Sequence, residues 1–225
     1  MKKLLPYLIF IVCIPLVIAA GSIFFQDKQY AFITIAITLL SIVPFFVSFE
    51  RKQHTATKLV LIAVMVALSV TGRMLFFYVP GFKPVTAMVI ITAIYFGGEA
   101  GFMTGALTAL ISNFFFGQGP WTPFQMFTWG LIGFAAGIFS EKLKNSKILL
   151  CIYGVLSGVV YSLLLDMWQV LWLDSGFNIS RYLAMVVSSA GFTLLYAVSN
   201  VIFLFLLTKP IGSKIERVKE KYGII

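Results

Sequence analysis

The sequence contains very few charged residues. Lys, Arg, Asp and Glu together make up 11% of the 225 residues, whereas 60% are hydrophobic and the mean hydropathy is +0.99. A water-soluble domain needs a far more polar surface than this composition can supply, which excludes a soluble fold. Apolar blocks, several of them close to the roughly 20 residues that span a bilayer, fill most of the chain. The sequence therefore predicts an all-α, polytopic membrane protein.

Residues suited to enzyme chemistry are also scarce. The one histidine, His54, falls in a polar connection, so a serine within an apolar block, such as Ser157, has no histidine base. The sequence has no HExxH, no GxxxxGK[ST] and no paired carboxylates at helical spacing within an apolar block. Cys13 and Cys151 lie far apart in apolar blocks and form no CxxC. We therefore expect no enzyme or ATPase activity, no metal site and no cofactor.

Eight apolar blocks are candidates for helices. They lie at about residues 4–23, 30–49, 57–79, 85–96, 100–116, 123–140, 148–165 and 182–208. The first block has the charged start of a signal peptide, but it is longer than the usual 7 to 15 apolar residues, so we expect it to remain as a helix. The expected organisation is an N-terminal transmembrane hairpin (1–55), a six-helix membrane domain (56–210) and a basic cytoplasmic tail (211–225).

The basic residues are distributed asymmetrically among the connections. With the N-terminus inside, thirteen Lys and Arg fall on the inner side, while Lys28, Arg73, Lys83 and Arg181 fall on the outer side. This bias follows the positive-inside rule and predicts that both termini are cytoplasmic. Topology thus accounts for the net charge of +9, and we expect no nucleic-acid partner.

The connections on the predicted outer side are rich in aromatic and amide side chains. They cover residues 78–84, 113–122 and 166–181. Trp and Tyr also form belts at membrane surfaces, but a belt alone would populate both surfaces, and all four tryptophans lie at or near the outer one. We therefore predict a substrate-binding site there. Its candidate residues are Arg73, Tyr78, Phe82, Asn113, Phe116, Gln118, Trp121, Gln125, Asp166, Trp168, Gln169 and Trp172.

Several of these positions fit two interpretations. Arg73, about one turn before the outer end of its helix, is placed either to snorkel to the surface or to face an interior cavity. Asp166 fits an interfacial cap as well as a ligand contact. Trp121, Gln125 and Trp129 recur every four residues and share a broad helical face suited to a flat ligand with polar edges. Core packing explains Trp129 equally well.

Small residues recur every four positions in two places. Ala63 and Ala67 share a face of the third block, where they would let another helix approach closely, either in a partner or within the bundle. A longer stripe runs through Gly97, Gly101, Gly105 and Ala109. We expect this stripe to pack inside the bundle.

From residue 57 to about 208 the chain resembles the S component, the membrane-embedded substrate-binding subunit, of energy-coupling factor transporters for vitamins. The resemblance rests on the Ala63 and Ala67 pair, on the short hairpin YFGGEAG at 95–101 and on the motif ISNFFFGQGPWTPFQ at 111–125. It implies a vitamin substrate bound from outside, the plasma membrane of a bacterium, and as partners a transmembrane coupling subunit and two cytoplasmic ATPases. It also implies that Ala63 and Ala67 form the docking surface for the coupling subunit. The N-terminal hairpin departs from the usual six-helix form, and its role stays open.

The resemblance also bears on the substrate. The 111–125 motif is most similar to the cobalamin-specific branch, and the aromatic segment at 166–181 would suit a bulky, planar ligand with many amides, so we expect cobalamin. A smaller vitamin or precursor, such as pantothenate, folate or a queuosine precursor, is the alternative. The few outer basic residues argue against a highly anionic ligand. A small secondary transporter, or an assembly subunit without ligand affinity, would be a different class of protein, but neither midplane coupling residues nor inverted repeats are evident.

Overall fold

Every regular element in the described part of the chain is helical. The structure is a computed structural model and describes residues 5–17, 20, 36, 40, 55–174 and 177–223. The helices are α1 (Leu5–Leu8, continued by a π-helical segment at Ile9–Cys13), α2 (Thr55–Leu75), α3 (Val85–Phe96), α4 (Gly98–Phe116), α5 (Trp121–Ile138), α6 (Ser140–Asn145), α7 (Lys147–Asp174) and α8 (Ile179–Lys221). The expected all-α fold is confirmed. The predicted helix at 30–49 lies outside the described residues.

Glycine and proline set the ends of the central helices. Gly97, with φ of +93°, is the single residue between α3 and α4, and Gly117, with φ of +98°, ends α4. Few residues other than glycine adopt such angles. Pro84 and Pro120 directly precede α3 and α5, where the fixed φ of proline suits a helix start. These breaks fold α3, α4 and α5 into adjacent antiparallel helices.

The glycine stripe on α4 packs against α5, as expected. A Cβ placed on Gly101 would lie 2.7 Å from the Gly133 carbonyl oxygen, and one on Gly105 would lie 2.6 Å from the Trp129 carbonyl oxygen. Such distances leave no room for a side chain, so the two helix backbones touch.

Among the described residues, three helices are long and apolar enough to cross a membrane, at Ala56–Leu75, Lys147–Asp174 and Ile179–Lys221. At about 1.5 Å per residue, α8 is about 65 Å long, roughly twice the hydrocarbon thickness of a bilayer. It continues through Pro210 into the predicted tail and ends at Lys221. Its C-terminal part is held in place because Lys144 pairs with Glu216 and Lys219 Nζ donates to the Tyr95 carbonyl at 3.1 Å.

The described N-terminal segment belongs to the same core. Phe10 is fully buried and stacks on Phe102 with 3.9 Å between the ring centroids. It also contacts Phe134 edge to face with 4.9 Å between the centroids. Ile9 and Ile14 are buried beside it. The start of the predicted hairpin therefore packs on α4 and α5. The division of the chain at residues 55 and 210 stays a prediction.

Candidate functional site

A cavity of about 210 Å³ lies at the end of the bundle where residues 76–84 and 117–120 join the helices, which is the predicted outer side. Its lining comes from α2, the 76–84 connection, α3, α5, α7 and α8. The lining residues are Arg73, Gly81, Lys83, Val85, Thr86, Gln125, Trp129, Tyr161, Tyr196 and Asn200. A partly open cavity with a mixture of aromatic and polar walls is typical of a small-molecule site.

A chain of buried hydrogen bonds runs along one wall. Arg73 Nη1 donates to Asn113 Oδ1 at 2.8 Å and to Ser112 Oγ. Asn113 Nδ2 donates to Gln125 Oε1 at 2.9 Å, and Gln125 Nε2 donates to the Tyr161 hydroxyl at 2.8 Å. These bonds join α2, α4, α5 and α7, so the polar groups that face the cavity are fixed in position.

Aromatic rings form the other surfaces of the cavity. Trp129 stacks on Tyr161 with 5.2 Å between centroids, and Tyr161 meets Tyr196 edge to face at 5.1 Å. The Arg73 guanidinium carbon lies 4.3 Å from the centroid of Phe116 and 5.2 Å from that of Trp129. A flat ligand would find both ring faces and hydrogen-bonding edges here.

Two cations meet at this cavity. Arg73 is 8% exposed, and Lys83 Nζ lies 4.7 Å from the centroid of the same Phe116 ring that Arg73 contacts. Within the described residues neither cation forms an ion pair. Burial, and then the charge of Arg73, lower the pKa of Lys83 from its usual value. The site is therefore electropositive.

The 76–84 connection is tied to α8. The Lys83 N–H donates to Ser199 Oγ at 2.9 Å, and Ser199 Oγ donates back to the Lys83 carbonyl at 3.1 Å. Phe82 packs against Phe76 and Phe203. These contacts hold Lys83 over the mouth of the bundle.

Of the residues predicted from the sequence, Arg73 and Gln125 line the cavity. Asn113 hydrogen-bonds to both of these residues, and Phe116 contacts the Arg73 guanidinium. Gln118, in the α4–α5 connection, is bonded to both helices. Its Nε2 donates to the Leu110 carbonyl at 2.9 Å, and its Oε1 accepts from Thr122 Oγ1 at 3.0 Å. The structure thus brings five of the predicted residues together at this wall.

The remaining candidates lie away from the cavity lining. Trp121, Trp168 and Trp172 form a separate aromatic cluster, with centroids 6.1 and 6.4 Å apart, Tyr78 is 91% exposed, and Gln169 is exposed. Their part in binding stays a prediction.

Asp166 is buried between α7 and α8. Its carboxylate accepts a hydrogen bond from Ser189 Oγ at 2.6 Å. A row of hydroxyl groups continues from there, because Thr193 Oγ1 donates to Ser162 Oγ at 2.6 Å and Ser162 lies 3.5 Å from Ser189. The structure places Asp166 in a helix–helix contact, and its part in binding stays a prediction.

Sequence reasoning did not select six of the residues that line the cavity with polar or aromatic groups. They are Lys83, Thr86, Trp129, Tyr161, Tyr196 and Asn200. The available signal was a single polar or hydroxyl-bearing residue inside a long apolar helix, which in membrane proteins marks an interior-facing position. Trp129 shares a helical face with the predicted residues Trp121 and Gln125, but core packing explains its position equally well.

Ala63 and Ala67 lie on a different surface. Both are exposed and line an apolar groove of about 630 Å³ between α2 and α4, together with residues such as Met103, Leu107 and Ile111. This groove would accept an apolar helix.

Comparisons with known proteins identify the family. The family model described as the S component of ECF-type riboflavin transporters matches residues 53–217. The chain belongs to this family. It is also similar to a UPF0397 protein of Vibrio atlanticus (strain LGP32), with 26% identity over 180 residues that cover 72% of this chain and 94% of that relative. No solved structure matches the chain significantly.

Membership confirms the S-component resemblance drawn from residues 57 to 208. An S component is the substrate-binding subunit of a membrane transporter and is not an enzyme. The family thus accounts for a membrane location, a vitamin substrate and partnership with an energy-coupling factor module. The matched region contains every residue that lines the cavity.

Proposed function

We propose that this S component captures one small vitamin from the outer side in the 210 Å³ cavity, and delivers it inward together with a transmembrane coupling subunit and two cytoplasmic ATPases. The observation that carries the proposal is the hydrogen-bond chain from Arg73 through Asn113 and Gln125 to Tyr161, which borders this cavity in a family of vitamin-binding subunits. Fixed polar groups beside stacked rings give selectivity for a flat, polar-edged molecule.

The size of the cavity favours a smaller vitamin over cobalamin. Sites for drug-sized ligands measure roughly 300 to 1,000 Å³, and this cavity, at about 210 Å³, lies below that range. A corrin ring with its amides is much larger than a drug-sized ligand, whereas pantothenate, a flavin or a pterin needs a modest opening of the walls. Riboflavin, which the family description names, is therefore tested beside the smaller vitamins, and cobalamin is the contrasting case.

The groove at Ala63 and Ala67 supports the proposed contact with the coupling subunit. Small side chains on the exposed face of α2 let a partner helix approach closely in a membrane, where van der Waals contact replaces the hydrophobic effect. The groove and the cavity use different faces, since residues 62–71 line the groove and Arg73 turns into the bundle. Docking and substrate binding can therefore be separated by mutation. The charge bias in the sequence supports cytoplasmic termini in this arrangement.

The deciding experiment is calorimetric titration of the purified full chain in detergent against riboflavin, pantothenate, folate and cobalamin. We expect one of the small vitamins to bind tightly without ATP or partners. Gln125→Ala should weaken that binding at least about tenfold, because it removes hydrogen bonds from the cavity wall. The matched control is Asn145→Ala, an exposed amide at the end of α6 and away from the cavity, which should change affinity less than about twofold.

Two results would contradict the proposal. Equal effects of Gln125→Ala and Asn145→Ala would mean that the cavity is not the binding site. Folded protein that binds none of the vitamins would favour a secondary transporter or an assembly subunit.

A further inference from the structure

Arg73 is a buried cation surrounded by neutral groups. Its side chain is 8% exposed, and its described contacts are the Ser112 hydroxyl, the Asn113 amide oxygen and the rings of Phe116 and Trp129. Arginine remains protonated in proteins. A charge removed from water is costly unless an opposite charge compensates it, so the position calls for an anion.

The described carboxylates do not supply that anion. They are Glu99, Glu141, Asp166, Asp174, Glu216 and Glu220, and none of them lines the cavity. Asp174 pairs with Arg181, Glu216 pairs with Lys144, and Asp166 accepts from Ser189. Glu99 and Glu141 lie in the first turns of α4 and α6, at the opposite end of the bundle.

A second cation adds to the imbalance. Lys83 Nζ and the Arg73 guanidinium lie 4.7 and 4.3 Å from the centroid of one ring, that of Phe116. Two like charges beside one ring repel each other, and the attraction of each to the ring is modest. Ser199 nevertheless fixes the backbone of Lys83 in place. A bound anion would relieve the repulsion.

The Arg73 guanidinium has donors to spare. Nη1 is occupied by Ser112 and Asn113, whereas Nε is buried and has no hydrogen-bond partner among the described residues. Nη2 likewise forms no bond to the described residues. The Nε and Nη2 edge of a guanidinium is the fork that binds a carboxylate or phosphate through two parallel hydrogen bonds.

We propose that the substrate of this S component carries an anionic group, a carboxylate or a phosphate, which binds in the cavity against the free edge of Arg73 and the Lys83 ammonium. The inference rests on the proposed function and narrows it to a chemical class. It differs from the expectation drawn from the scarcity of outer basic residues, because Arg73 on α2 and Lys83 in the following connection converge only in the folded bundle.

The first test uses unmodified protein and pairs of ligands that differ in one charged group. Calorimetry compares pantothenate with panthenol, folate with its dimethyl ester, and flavin mononucleotide with riboflavin. We expect the anionic member of the pair that binds to be at least about tenfold tighter, since hydrogen bonds to charged groups exceed neutral ones by this much or more. The first two pairs report a carboxylate and the third a phosphate.

The second test uses variants of the full chain with the ligand found in the first. Arg73→Gln should weaken the anionic ligand at least about a hundredfold and remove most of its advantage over the neutral partner. Arg73→Lys keeps the charge but loses the two parallel donors of the guanidinium. Its affinity for the anionic ligand should lie between that of the unmodified chain and that of Arg73→Gln. The matched control is Arg181→Gln, an exposed outer arginine paired with Asp174, which should leave affinity nearly unchanged.

The two proposals can fail separately. Tight binding of a neutral vitamin, with no gain from its anionic derivative, would overturn the anionic class while the vitamin-binding function stands. The absence of binding by every vitamin in either charge state would overturn both. If Arg73→Gln does not fold, the ligand pairs still decide the question.

Discussion

Asn113→Asp should have opposite effects on stability and on substrate affinity. Asn113 is fully buried, and its Oδ1 accepts from Arg73 Nη1 at 2.8 Å. The present bond joins a charged donor to a neutral acceptor and is worth about 1.5–3 kcal/mol, and a carboxylate here would turn it into an ion pair with a stronger attraction. Gln125 can reverse its amide to donate to the new carboxylate and accept from the Tyr161 hydroxyl. Desolvation of the carboxylate offsets part of the gain, so we expect unfolding to become harder by about 1 kcal/mol.

The same substitution would supply Arg73 with an internal counter-charge and so compete with an anionic substrate. A unit charge about 4 Å from Arg73 interacts with it by about 4 kcal/mol at an effective dielectric constant of 20. If about 2–3 kcal/mol of that is lost to the ligand, affinity falls by about 30- to 150-fold. The assays are thermal unfolding and calorimetry in the same detergent. The control is Asn178→Asp, the same chemical change at the exposed N-cap of α8.

If Asn113→Asp binds the ligand as tightly as the unmodified chain does, then an anionic substrate does not bind to Arg73. A loss of both stability and affinity would show that the hydrogen bonds of the Asn113 amide hold the site together. It would also show that the ligand does not bind the charge of Arg73.

Three further predictions concern packing and docking. Gly133→Ala, whose Cβ would lie 2.5 Å from the Gly101 carbonyl carbon, should destabilise the protein by about 1–3 kcal/mol in thermal unfolding, whereas Gly191→Ala, with open space around it, should be neutral or stabilising. Phe10→Ala should cost about 3 kcal/mol by removing the stacked ring, while Ile11→Ala, at an exposed position, should change little; equal effects would mean that the N-terminal segment does not pack on the core. Ala67→Trp should block co-purification with the coupling subunit without changing vitamin binding by the isolated chain, and loss of both would show that the groove and the cavity are not independent.

The helix boundaries followed from the sequence where glycine or proline sets them. Residues 85–96 were predicted as a helix and form α3 with those limits, because Pro84 and Gly97 flank it. The predicted end of the next-to-last helix at residue 165 was wrong, since α7 runs to Asp174. Asp166 looks like a helix end by composition, but its carboxylate is buried against Ser189 of the neighbouring helix. One sequence cannot distinguish a polar residue at a helix end from one that is satisfied across a helix–helix contact.

Only part of the candidate site could be predicted, because one sequence does not show which distant residues pack together. Asn113 and Gln125 stand in a compact polar and aromatic motif, so their proximity could be anticipated. Tyr161 and Tyr196 are single residues within long apolar helices, and only the packing of α7 against α8 and α5 brings them together. An interfacial belt and a binding pocket have the same composition, so the part of the tryptophans in binding stays a prediction.

The packing stripe on α4 and the hydrogen-bond chain at the cavity belong to one continuous helix contact. Gly101, Gly105, Ala109 and Asn113 recur every four residues on α4, and Gly133, Trp129 and Gln125 do so in the opposite direction on α5. Near the inner end the glycine backbones touch. Two to three turns further out the same face carries Asn113, whose amide reaches Gln125 at 2.9 Å. Because residues four apart share a face, the close approach set by the glycines fixes the distance at which the two amides meet. The geometry of the cavity wall therefore depends on glycines that do not contact the cavity, and this is why Gly133→Ala should lower ligand affinity as well as stability.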